Sequence, residues 1–380
     1  MKNVILFTCV WVPIIFISAL NYLGADNYHE KLIVFYINLV FVVSYYLGVI
    51  LAFLGKPYNN RLNLNSDFNE RKAKCILYFL TVLCLCGFLI GIQKWQAVGI
   101  SILSFTSDTY YEMNVLHSES DGILSGISGR LYVLSYVLIL YTLFLYKINI
   151  IHKRELTIYI AMALLFLFSP RRAIIIYSII SLLVYLLFFA RIKLLKKIGL
   201  LLSVSLSFII LFGFTQYSLG KMDNFEMVNI FESFFHYYYS SIPVMDSLIS
   251  TNHFVDEYIL LSTPLRFISA LIQVPINIDL SIPFVNIPEP SNTLPITYYL
   301  YRSSGFVAII TFSIIFGFMS VRMERGMDFN CSFQVFAFNM LLSVGTLMSV
   351  REMFFITYDF FFWCIVIFII SYILRFKARI

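Results

Sequence analysis

The chain has 380 residues, 60% of them apolar and only 13% charged, with a formal net charge of +6. Ordinary soluble domains are roughly 45–50% apolar and about 25% charged. The excess is too large for one water-soluble core of this length, and it excludes a disordered chain, a small disulfide scaffold and most cytosolic enzymes. An all-α, polytopic membrane protein remains.

A spanning helix needs about 20 mostly apolar residues. In chain order the candidates are 3–23, 32–54, 75–93, 130–147, 155–169, 172–190, 198–219, 304–321, 332–350 and 353–374, about ten spans in one integral membrane domain over 1–380. The first reads as a retained span, because its apolar stretch is long for a leader and no small-x-small cleavage site follows. The fifth is short. Joining 155–190 into one helix would give a rod of about 54 Å at ~1.5 Å per residue, against a hydrocarbon core of ~30 Å. It would also set Arg171 and Arg172 near mid-membrane, where each is costly. Pro170 disfavours a helical residue before it, so a hairpin with a Ser169-Pro170-Arg171-Arg172 tip is the better reading.

Basic residues in short loops mark the cytoplasmic side. One set of ends holds 18 of the 27 Lys and Arg residues, at 2, 56–74, 147–154, 191–197, 322–325 and 375–379. Both termini therefore read as cytoplasmic. Segments 147–154 and 191–197 share a side only if two spans separate them, which again favours the hairpin. Most acids fall on the other side, so the positive balance is an orientation signal and offers no basic face to nucleic acid.

Cysteines 9, 75, 84, 86, 331 and 364 lie outside the outer loops and form no CxxC. They read as buried apolar side chains, with no disulfide framework and no metal site. There is no P-loop, no GxGxxG and no repeat, so neither a nucleotide nor another cofactor is expected. His236 and His253 stand in no HxxxH or HExxH arrangement.

Two outer loops exceed what a connection needs. The first, 94–129, contains an acidic Ser/Gly-rich stretch that reads as a surface loop. The second, 220–303, is rich in proline and aromatic residues. Its part at 225–239 reads as an aromatic interfacial helix, and Tyr237, Tyr238 and Tyr239 also suit a platform for sugar rings. The apolar run 256–274 reads as a re-entrant or interfacial helix broken at Pro264. If it spanned, it would bury Arg266 and reverse every later end. The Pro-rich part 282–295 reads as extended.

Nine basic residues sit on the outer side against the topology signal. Arginine suits bidentate phosphate contact and stays charged when partly buried. A carboxylate partner or a helix end explains any one of them as well, and Arg351 followed by Glu352 reads as a local pair. Arg171 and Arg172 have no acid nearby in sequence and directly precede a helix, whose N-terminus favours negative charge. An outward-facing pocket for a phosphorylated, lipid-linked ligand is the expectation. The acid–base candidates are Glu232, His236, Asp246, His253, Asp256 and Glu257, all in the second loop. Each reads equally as a solvated or hydrogen-bonded loop residue.

This layout resembles the O-antigen polymerase (Wzy-type) family, the oligosaccharide repeat-unit polymerases. The resemblance lies in the span count, the arginine hairpin at Phe168-Ser169-Pro170-Arg171-Arg172, and the large outer loop before the last three spans. Asn292-Thr293, Tyr298-Tyr299-Leu300-Tyr301 and Gly305 lead into the span with Phe316-Gly317, as in the family. At Arg302-Ser303-Ser304-Gly305 the chain departs from the family's acid-Phe-Gly group.

The resemblance implies a glycosyltransferase of the bacterial inner membrane that polymerises polyprenyl-diphosphate-linked oligosaccharides en bloc at the outer face. A chain-length regulator is a further implied partner. Such chemistry needs positive charge at the departing diphosphate and a base at the acceptor hydroxyl. Arg171, Arg172 and Arg266 would serve the diphosphate, with Arg302 and Arg351 as second candidates. The base would come from Glu232, His236, Asp256 or Glu257, and Tyr237–Tyr239 with Tyr298, Tyr299 and Tyr301 would line the sugar path. An O-antigen ligase-like transferase would use the same arginines. A transporter or flippase would instead need repeat symmetry and charges within the spans, which are nearly charge-free apart from Asp359 in the tenth.

Overall fold

The computed structural model describes residues 1–22, 31–55, 69–100, 127–166, 172–189, 240–250, 293–329 and 332–375, with short pieces between 198 and 230 and at 265, 285–286 and 290–291. The described residues are helical apart from turns and one antiparallel pair of two-residue strands. These are β1 (Val285–Asn286) and β2 (Pro290–Ser291), which fall in the stretch expected to be extended. The helices are α1 (Lys2–Tyr22), α2 (Leu32–Leu54), α3 (Glu70–Ala97), α4 (Ile127–Lys147), α5 (Lys153–Phe166), α6 (Arg172–Phe188), α7 (Ser241–Ser250), α8 (Ile296–Phe329), α9 (Phe333–Met348) and α10 (Tyr358–Arg375). Candidate span 198–219 is described only at scattered positions, each of them helical.

Local chemistry sets the helix ends. Asn69 caps α3 by accepting from the Lys72 amide at 3.0 Å. Glu155 reaches back to the His152 amide at 2.7 Å, half of a capping box at the start of α5. Ser332 and Thr357 cap α9 and α10 through the amides of Val335 and Phe360. Asp359 therefore lies in the first turn of α10, where it complements the helix dipole, and not deep within a span. Helix α5 is described up to Phe166 and α6 from Arg172, and residues 167–171, with most of the expected hairpin tip, lie outside the described residues.

Packing divides the chain into two compact units. In the first, α1 runs antiparallel to α2, with Phe7 stacked on Tyr45 at 3.5 Å and Trp11 against Phe41 at 4.7 Å. Helix α8 lies parallel to α2. Asn38 meets Thr297, Gly48 meets Ile314, Tyr45 meets Gly317, and Ala52 meets Arg325. At the α2–α8 crossing each helix offers a glycine to the backbone of the other. The C-terminal part of α9 runs parallel to α1, since Asn3 bonds Ser343 at 2.6 Å and Trp11 bonds Ser349 at 2.8 Å.

The second unit is built around α4, whose residues 132–145 are all buried. A helix apolar on every side belongs in the middle of a bundle. Helix α3 is antiparallel to it, with the Tyr141 hydroxyl donating to the Ala73 carbonyl at 3.1 Å and Gly87 beside Leu131. Helix α6 is parallel to α4. Tyr136 bonds Ser181 at 2.8 Å, and the Lys147 ammonium sits over the Phe189 ring at 5.1 Å. The ends of α4 and α6 that lead into the basic segments thus lie together, which the two-helix reading of 155–190 demands.

Helix α8 is interrupted at Ser304 and Gly305, with Gly305 at φ 61° and ψ −144°. A Cβ there would meet nothing within 4 Å. The barrier to substitution is therefore conformational, in a region that essentially only glycine occupies. Gly305→Ala is expected to lower stability by about 1–3 kcal/mol, read as a fall in the thermal midpoint of the detergent-solubilised chain.

Large apolar side chains remain exposed along the helices, among them Phe16, Leu54, Phe79 and Val307. Five described helices are long and apolar enough to cross a membrane. The cysteine expectation is corrected here. Cys84 is buried, but Cys9, Cys75 and Cys86 lie on exposed helix faces, where a thiol suits lipid as well as it suits a core.

Candidate functional site

At one end of the first unit a short turn closes α9. The amides of Arg351 and Glu352 both donate to the Met348 carbonyl at 2.9 Å. Three further elements hold the turn. The Ile296 amide, at the start of α8, donates to the Ser349 carbonyl at 2.8 Å. Ser241, at the start of α7, donates through its hydroxyl to the Val350 carbonyl. The Trp11 indole N–H of α1 donates to the Ser349 hydroxyl at 2.8 Å, and that hydroxyl donates on to the Thr346 carbonyl at 2.7 Å. Val350 and Met353 are buried on either side of the pair. The backbone that carries Arg351 and Glu352 is thus fixed from four helices.

The side chains are less enclosed than their backbone. Arg351 is 13% exposed and Glu352 25%, with Arg351 Nη1 at 3.6 Å from Glu352 Oε2. The local pair expected from the sequence is present, and a cation beside the C-terminus of α9 also complements its dipole. Tyr299, buried in the first turns of α8, lies within electrostatic reach of both groups. Tyr298 is wholly buried and meets Tyr299 edge to face at 6.1 Å. Tyr301 is half-buried against Phe306 at 5.7 Å, and Arg302 follows it, also half-buried. Of the tyrosines assigned to the sugar path, Tyr298 is thus a core residue and Tyr301 the more accessible one.

Asp246, one of the acid–base candidates, is 7% exposed, and its Oδ1 accepts from the Lys31 amide at 3.1 Å. It caps the start of α2, a structural employment. Arg172 opens α6 in the second unit. Glu232, His236, Tyr237, Tyr238, Tyr239, His253, Asp256, Glu257, Arg171 and Arg266 lie outside the described residues.

The opposite end of the first unit is chemically different. Glu324 accepts from the first amides of α1, and Arg325 donates to the Ala52 carbonyl at 3.2 Å. Arg322 stacks over Phe318 there. In the second unit, a shallow concavity along Asn69, Glu70, Arg71, Lys74, Cys75 and Tyr78 occupies the N-terminal end of α3. Its Glu70–Lys74 pair at 2.8 Å is solvent-exposed and so contributes little to stability. No group of three His, Cys, Asp or Glu able to hold a metal occurs among the described residues.

The anchors of the Arg351–Glu352 turn escape sequence reading. The spacing of Ser343, Thr346 and Ser349 along one face of α9 is a faint signal for a polar seam, but nothing in it names Trp11 as the partner. Comparison with protein families, with characterised proteins and with solved structures finds no match to this chain. The fold itself defines the class: a helical protein whose long apolar helices mark it as a membrane protein.

Proposed function

We propose that the chain is a polyprenyl-diphosphate-dependent glycosyltransferase that polymerises lipid-linked oligosaccharide repeat units at the outer face of a bacterial inner membrane. The observation that carries this reading is the rigid turn bearing Arg351 and Glu352 beside Tyr299, at the end of the first unit opposite Arg322 and Arg325. By the positive-inside rule the Arg322 end is cytoplasmic, so the turn faces outward. Arg302 supplies charge that a diphosphate leaving group needs, and Arg171, Arg172 and Arg266 are further candidates for it. Electrostatic stabilisation of that group is the largest service such an enzyme performs. Tyr301, the more accessible of these tyrosines, offers an apolar face to a sugar ring. The proposed ligand is a polyprenyl-diphosphate-linked oligosaccharide.

The test is the surface-glycan profile of a strain lacking the gene, resolved by gel. Caps of a single repeat unit are expected, with the ladder restored by the wild-type chain. Arg171→Ala/Arg172→Ala, made at normal protein level, is expected to leave single-unit caps. Loss of even those caps would move the assignment to flipping or ligation. Free lipid-linked polymer would indicate a ligase, and a normal ladder would overturn the polymerase reading.

A further inference from the structure

We propose that Glu352 is the general base of the transfer reaction and that Arg351 is its positioning residue. The inference rests on the polymerase reading and assigns the group that this reading leaves open.

Three acids stand at this end of the first unit among the described residues. Asp246 is buried and committed to the Lys31 amide. Asp359 belongs to the first turn of α10. Glu352 differs from both. Its backbone is tied to Met348 and flanked by buried Val350 and Met353, yet a quarter of its side chain is accessible. A base must reach the proton it removes and must already be aimed at it. Glu352 combines reach with a fixed origin.

The division of labour follows from geometry. In a single in-line displacement the attacking hydroxyl and the leaving diphosphate lie on opposite faces of the anomeric carbon. Arg351, 3.6 Å from Glu352, is on the side of the base. We therefore assign it to the base and not to the departing phosphates. Its task is to hold the carboxylate oriented, and Arg302 is left for the diphosphate. In the reaction the acceptor hydroxyl oxygen forms its bond to the anomeric carbon while its proton passes to Glu352. The bond from that carbon to the diphosphate oxygen breaks, and its electron pair leaves with the diphosphate. Glu352 returns its proton to water. No oxidant, reductant or other co-reactant enters.

The experiment uses the purified full chain in detergent. Its substrate is the lipid-linked single repeat unit extracted from the deletion strain, and single-turnover polymer formation is followed from pH 5 to 9. General-base removal costs on the order of 10²–10⁴-fold, so Glu352→Gln is expected to slow transfer by at least about 100-fold, with substrate affinity held within about threefold. Its thermal midpoint should match wild type. Glu352→Asp, which keeps the carboxylate, should recover part of the lost rate, which a merely structural role would not produce. Glu352→Gln within about threefold of wild-type rate would overturn the assignment, while wild-type polymer formation upheld the polymerase reading. Equal loss of rate and thermal stability in both variants would also overturn it, since the pair would then only brace the turn. A wild-type chain that forms no polymer from this substrate would overturn the polymerase reading itself.

Discussion

Gly317→Ala and Gly48→Ala are each expected to remove most of the folded protein. A Cβ at Gly317 would lie 2.1 Å from the Tyr45 carbonyl oxygen, and one at Gly48 would lie 2.1 Å from that of Ile314. Carbon–oxygen contacts between helices sit at about 3.3–3.6 Å, so either methyl forces the axes apart by more than about 1 Å. The obstruction is backbone, so no rotamer change relieves it. In lipid there is no hydrophobic drive between helices, and close approach through small residues is what holds them. Ordinary overpacking costs about 1–3 kcal/mol, and this crossing should exceed that range because α2 and α8 form the main interface of the first unit. The measurement is the thermal midpoint and monodisperse yield in detergent. Gly199→Ala is the control, since a Cβ there meets nothing within 4 Å. The double variant should cost less than the sum, because both methyls open the same crossing. A wild-type midpoint for either single variant would mean that the helices do not cross at these glycines.

Those glycines illustrate what a single sequence reveals and what it hides. Helix α2 matches its expected bounds, because 23 nearly unbroken apolar residues leave little else to decide. Helix α8 does not. The apolar signal begins at residue 304, but the helix starts at Ile296 and passes through the break at Ser304–Gly305. The Tyr-rich segment before the break carries no spanning signal, and its helicity comes from burial of Ile296, Tyr298 and Leu300 in the core. Helix α7 was hidden for the same reason. It is short, and it is ordered by Asp246 on α2 and by Ser241 on the α9 turn. The Arg351–Glu352 pair could be read from adjacency alone. What makes it a candidate site is the bracing by Trp11, Ile296 and Ser241, whose sequence separations from the turn leave no periodic trace.

Glu324→Ala is expected to lower stability by about 1–3 kcal/mol while leaving the rate per folded molecule unchanged. Glu324 is 7% exposed and accepts from the amides of Lys2 at 2.6 Å and Asn3 at 3.4 Å. The first amides of a helix have no partner within it, so this carboxylate does for α1 what a local cap does elsewhere. Its charge also matches the positive end of the helix dipole. One residue on, Arg325 serves α2 in the reverse sense, donating to the Ala52 carbonyl near that helix's C-terminus and lying over Phe53 at 4.4 Å. Glu324→Gln should recover part of the loss, because its amide oxygen still accepts one bond. The rate should hold because Asn3 and Trp11 are separated by eight residues of α1, about 12 Å along its axis. The Trp11–Ser349 bond that braces the Arg351–Glu352 turn is therefore remote from the cap. A fall in the proposed transfer rate at unchanged stability would show instead that the two ends of the first unit are coupled through α1.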